Sequence, residues 1–204
     1  MKDRSKNTII KRNSPFRNTK KSYLIICEGE TEILYFHRFK LQTVNLKIIE
    51  GKQGNAKSFV LEAIKIKNSL KEKYDESWCV LDKDNTKDVD FIEAIKIANQ
   101  SNLTVAYSII AFEVWLLLHF KFFTKLMNSN ELNKELSSYL KYPYSKQEKI
   151  LQKIFKGIQD KEDLAIQNAF KMNERSNIIE SITFENSLTT IHLLVSKILL
   201  EIKF

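Results

Sequence analysis

Glycine and proline are scarce, four and two in 204 residues. An all-β sandwich turns at every strand end and draws on both, so that class is excluded. A disordered chain is excluded with it, because 43% of the residues are hydrophobic. Cysteine is almost absent. Cys27 and Cys79 each sit inside an apolar run, the setting of buried, reduced thiols in a cytoplasmic protein. Two thiols and three histidines (His37, His119 and His192), with no H-x-x-H pair, do not supply a zinc site. Long apolar runs are missing too. Val114-Trp115-Leu116-Leu117-Leu118 is far too short to cross a bilayer, so no membrane partner is expected. The start of the chain has no apolar segment of the kind a secretory signal needs.

What is present suffices for one substantial domain with its own core and a helical appendage. The net charge of +8 is spread unevenly. Residues 1–21 hold eight basic side chains, Lys11, Arg12, Arg17, Lys20 and Lys21 among them, against Asp3 alone. The rest of the chain, with 25 basic and 24 acidic residues, is close to neutral. Residues 1–21 therefore read as a flexible basic arm. Two roles stay open for it: contacts with nucleic-acid phosphates that weaken with salt, or a solvated tail that aids solubility.

Beyond the arm, short apolar runs alternate with helical patterns. Tyr23–Cys27, Leu46–Ile49, Ser77–Leu81 and Leu103–Tyr107 are predicted strands. Between them, helices are predicted from Thr31, over Ala56–Tyr74 (Phe59, Ala63, Ile66 and Leu70 on one face) and over Asp88–Gln100. The dense apolar segment Ala111–Phe122 reads as a buried helix. After about residue 125 only helical patterns and polar connectors follow, the last helix running from about Leu188 to Phe204. Four strands joined by connections too long for hairpins imply an α/β fold, a parallel sheet of roughly four strands flanked by helices. The expected division is an arm over 1–21, an α/β core over 22–125 and a helical extension over 126–204 packed on the core.

Open parallel sheets bind ligands outside the carboxyl ends of their strands, where the strand order reverses. Glu28-Gly29-Glu30-Thr31-Glu32 follows the first strand and Asp82-Lys83-Asp84 the third. If those strands are neighbours, both acidic groups reach one crevice. Clustered carboxylates repel each other unless a cation neutralises them, and hard oxygen donors suit Mg²⁺ or Mn²⁺. The plainer alternative is a solvated turn after each strand. Glu113, which opens the apolar segment, is either a first-turn carboxylate favoured by the helix dipole or a further acid in the crevice. His119 lies six residues on, facing away from Glu113, and is read as a core histidine. Lys146, Lys153 and Lys156 read as a solvated helix face, the alternative being side chains that help to hold a nucleic-acid strand.

Ile25-Ile26-Cys27-Glu28-Gly29-Glu30-Thr31-Glu32, followed by Tyr35-Phe36, resembles the opening of RloB-like proteins. Val80-Leu81-Asp82-Lys83-Asp84 resembles their D-x-D segment, and Phe112-Glu113-Val114-Trp115-Leu116-Leu117-Leu118-His119-Phe120 their F-E-x-W-L-L-x-H-F block. Ser187–Val195 is similar to their closing helix. The likeness spans roughly residues 22 to 200. It implies a Rossmann-like TOPRIM domain near the OLD-family nucleases, encoded in bacterial restriction or abortive-infection loci beside an ATPase. Carried over by position, the TOPRIM glutamate falls on Glu28 and the metal-binding aspartates on Asp82 and Asp84, while Glu32 matches the second acid of E-G-x-x-E. The family often turns through a proline before its F-E-x-W block, whereas Ser108-Ile109-Ile110-Ala111 has none.

The expectation is a Mg²⁺- or Mn²⁺-dependent nuclease acting on DNA or RNA, tRNA included, with an ATPase partner in antiviral defence. Glu28, Glu32 and Glu113 are its candidate catalytic acids, and Glu28, Asp82 and Asp84 its candidate metal ligands. Nucleic acid would be met by Lys11, Arg12, Arg17, Lys20 and Lys21. The alternative is an inactive TOPRIM-like binding or regulatory subunit. The sequence leaves assembly into a homo-oligomer open.

Overall fold

The computed structural model describes residues 21–39, 45–52, 54–175 and 186–203. Lys11, Arg12, Arg17 and Lys20 lie outside the described residues. β1 (Ser22–Cys27), β2 (Asn45–Glu50), β3 (Glu76–Asp82) and β4 (Thr104–Ser108) form one parallel sheet in the order β2-β1-β3-β4. β1 and β3 are central and neither face meets solvent, which is why both read as continuous apolar runs without alternation.

Side chains leave a strand alternately to its two faces, and the two cores follow that period. Leu24, Ile26, Cys79, Leu81 and Val105 meet Phe59, Val60 and Ala63 of α2 (Ala56–Ser69) and Phe91, Ala94 and Ala98 of α3 (Asp88–Gln100). Tyr23, Ile25, Cys27, Trp78, Val80 and Ala106 face the other way. They meet α1 (Glu30–His37), α4 (Glu113–Leu118), α5 (Ser129–Leu140), α6 (Glu148–Ile158), α7 (Glu162–Arg175) and α8 (Ile191–Lys203). The helices beyond residue 125 thus share one core with the sheet. Cys27 and Cys79 are free, buried and on opposite faces. No helix among the described residues is long and apolar enough to cross a membrane.

Three helices depart most from the sequence expectation, the other boundaries shifting by a residue or so. α2 ends at Ser69 instead of Tyr74: Leu70 turns to extended geometry, and Lys67 Nζ donates to the Ser101 carbonyl at 2.7 Å. α4 spans six residues instead of Ala111–Phe122, all of them buried. Its last turn tightens through His119 N–H to the Leu116 carbonyl and Phe120 N–H to the Leu117 carbonyl, bonds of i→i+3 type that close a helix. α8 begins at Ile191 and not Leu188, because residues before it lie antiparallel along the outer edge of β4. Ser108 bridges Thr189, Ile109 N–H donates to the Leu188 carbonyl and Thr190 N–H to the Tyr107 carbonyl, the last two at 2.8 Å each. That segment covers the polar edge a terminal strand otherwise exposes.

Candidate active site

The strand order reverses between β1 and β3, and a cleft of about 770 Å³ opens at their carboxyl ends. Glu28 extends the ladder one residue past β1, its N–H donating to the Val80 carbonyl at 3.1 Å. The Asp82 N–H points back at Glu28 Oε2, 3.4 Å away. Burial raises the Glu28 pKa, the N–H groups of Asp82 and Gly54 pull it down, and the Asp84 charge pushes it up.

Gly29 precedes α1, and a Cβ there would come within 2.7 Å of Glu32 Oε2, so the missing side chain leaves room for that carboxylate. Glu32 stands in the first turn of α1 with 6% exposure. Its pKa is pushed up to about 7, first by burial and then by the charges of Glu113 and Glu28, against its own N–H and Lys146. Asp82 closes β3, and burial and the charges of Glu32 and Glu113 raise its pKa well above the usual range. The Phe112 N–H and Lys146 oppose that rise.

The D-x-D segment puts its two aspartates on the cleft and its lysine elsewhere. Lys83 Nζ pairs with Asp88 at 2.7 Å and donates to the Thr86 carbonyl, while its main chain continues onto Ser108. Asp84 lines the cleft in the left-handed region (φ 41°), which a short polar residue tolerates.

Glu113 sits one layer back. It is 2% exposed, and Oε1 accepts from the Tyr144 hydroxyl at 2.6 Å and pairs with Lys146 Nζ at 3.1 Å. Its other oxygen is buried without a hydrogen-bond partner. The turn leading there does without proline by placing Ile110 at φ 76°, a strained conformation for a β-branched residue. That turn also aims the Phe112 N–H at Asp82.

Glu28, Glu32, Asp82 and Asp84 are thus brought to one cleft, with Glu113 behind it. Lys21 is not among them. It precedes β1 at the opposite end of the sheet, its Nζ 3.6 Å from Glu76. His119 is a core residue: Nδ1 bonds the Trp115 carbonyl at 3.0 Å, and burial drives its pKa down to about 3.

Sequence reading missed Tyr144, and it named Lys146 without joining it to the acidic cleft. Lys146 lies before α6, in the connector Lys141–Gln147, and reaches the cleft. Burial works against its charge, yet Glu113, Glu32 and Asp82 outweigh that and raise its pKa. Burial, Glu113, Glu32 and Asp82 also raise the pKa of Tyr144. A signal was present in Tyr142-Pro143-Tyr144-Ser145-Lys146, where one of two prolines in the chain marks a fixed, non-helical path. Lys153, by contrast, lies over the Tyr142 ring at 3.8 Å.

Among the described residues, no three Asp, Glu, His or Cys side chains already stand as a metal-ligating group. The donors are nonetheless carboxylates, and Mg²⁺ is commonly held by one or two of these, with water and substrate phosphate completing its shell. Crowded carboxylates with raised pKa values fit such an ion. They do not fit an all-protein cage.

Fold and site together define a parallel α/β protein with a carboxylate-lined cleft at its topological switch point. The family model described as RloB-like protein matches residues 23–198, and the chain belongs to that family. No curated protein and no solved structure matches it.

Proposed function

We propose that the protein is a divalent-metal-dependent nuclease of the TOPRIM type. The carrying observation is the meeting of Glu28 and Asp82 across the switch point, where the end of β3 donates its N–H to the carboxylate at the end of β1. Asp82 and Asp84, with Glu28, would hold Mg²⁺ or Mn²⁺. When bound, such an ion activates water and stabilises a leaving oxygen. Glu28, oriented by two main-chain N–H groups, accepts the proton of the attacking water. Glu113, itself bonded by the Tyr144 hydroxyl, pairs with Lys146 beside the cleft, where the lysine supplies positive charge for a phosphate. An ATPase partner and a role in antiviral defence are added by the family resemblance alone.

The test is cleavage of mixed DNA and RNA substrates with Mg²⁺ or Mn²⁺, with and without a partner ATPase of the kind the family resemblance implies. Wild type should cleave only with the metal. Glu28→Gln should lower the rate on the order of 10²–10⁴-fold while nucleic-acid binding stays near wild type. Binding without cleavage under every condition would replace this reading with that of a regulatory binding subunit.

A further inference from the structure

Five carboxylates line the cleft, from Glu28, Glu30, Glu32, Asp82 and Asp84, and among the described residues lining it Lys146 is the one base. Its ammonium pairs with Glu113 at 3.1 Å, yet 62% of the side chain stays exposed. The lysine is thus held through its ammonium while much of its side chain remains open to solvent. Its electrostatic partners are Glu113, Glu32 and Asp82, and it stabilises the ionised forms of Glu32 and Asp82 in return. Asp82 would therefore be shared between this ammonium and the proposed metal ion. Two cations in one crevice repel, and a divalent ion outcompetes a monovalent one for the same carboxylates.

We propose that Lys146 is a tethered counter-ion: it neutralises the cleft in the metal-free protein, sets its affinity for divalent ions, and is released from Glu113 when one binds. This rests on the metal-dependent reading above. The Glu113–Lys146 pair is then a store of positive charge for the substrate phosphate, made available as the ion arrives. Tyr144 holds the vacated Glu113 oxygen, so release does not strand that carboxylate. A lysine with a merely structural role predicts the reverse, because its loss would loosen the carboxylates and weaken metal binding.

The experiment titrates Mn²⁺ alone into the full chain by calorimetry at low ionic strength. Lys146→Gln should bind Mn²⁺ roughly three- to tenfold more tightly than wild type, since one opposing charge is gone. Lys146→Arg should match wild type, and Asp82→Ala/Asp84→Ala should take up none. In the unaltered protein, Mg²⁺ should raise the reactivity of Lys146 towards an amine-acylating reagent, read by mass spectrometry. Equal or weaker Mn²⁺ binding by Lys146→Gln overturns the inference, as does Lys146 labelling that Mg²⁺ leaves unchanged. If wild type and Lys146→Gln both take up no Mn²⁺, the metal-dependent reading fails, and the inference fails with it.

Discussion

At the residue scale, Glu28, Glu32 and Asp82 are carboxylates held in the cleft where ionisation is costly. Glu32 shows this most clearly, with a pKa pushed up to about 7 by burial, Glu113 and Glu28. Its folded-state pKa exceeds the unfolded value, so between about pH 4.5 and 7 the folded protein keeps a proton that the unfolded chain releases. Stability from this group therefore falls as pH rises through that window. His119 and His192, whose pKa values burial lowers to about 3 and about 4, act in the opposite sense, so the test is a difference. In metal-free buffer, the stability of Glu32→Gln relative to wild type should climb from about pH 4.5 to 7 and level off on either side. Denaturant titrations at several pH values across and beyond that window would measure it. A constant difference would mean that Glu32 ionises as freely as a surface glutamate.

At the element scale, the segment before α8 decides whether β4 is an open edge. Thr189 is buried, and its hydroxyl lies 2.9 Å from Ser108 Oγ and 3.1 Å from the Tyr107 carbonyl. Thr189→Val keeps the volume and removes those bonds, leaving the buried Ser108 hydroxyl without this partner. The expected cost is about 1–3 kcal/mol in denaturant unfolding, the range for a buried polar group left unpaired. The Mn²⁺ affinity of the cleft should not change, because the edge contributes no carboxylate to it. A cost within a few tenths of a kcal/mol would show that the two hydroxyls are bonded elsewhere. α5 illustrates an element with its own local start signal: Asn128 and Glu131 form a reciprocal capping box at its first turn.

At the scale of the whole molecule, charge is distributed unevenly along the chain. The cleft is acidic, while seven of the basic residues precede Lys21, which enters the sheet at its other end. Deleting residues 1–20 removes +6 of the formal +8. If these side chains hold phosphates, the slope of log affinity against log salt should flatten by roughly 0.7–0.9 for each phosphate no longer neutralised. If these residues add only uniform binding, the maximal rate at saturating substrate should stay near wild type, because the barrier is then unchanged. Filter binding across a salt series, beside single-turnover rates, would check both. An unchanged slope would leave the segment as a solubility tail.

The chain order alone determined the four strands and the acids at their ends. β1 and β3 are local apolar runs, and a side chain that follows a parallel strand must emerge at its carboxyl edge, so Glu28 and Asp82 were legible before any contact was known. Glu32, in the first turn of α1, and Asp84, in the turn just past β3, lie within a few residues of Glu28 and Asp82 and so stay near the same strand ends. That β1 and β3 are neighbours, and so that the two acidic groups meet, was a condition only the tertiary structure met. It also decided the depth of Glu113, the brevity of α4, the edge cover at Thr189 and the arrival of Tyr144 and Lys146. Each depends on a partner distant in the chain, such as Tyr144 on a carboxylate 31 residues away. Periodicity reports which face a residue shares with its near neighbours. Which remote group stands opposite is settled by how the faces pack, and Lys146 comes to the carboxylates of the cleft that way.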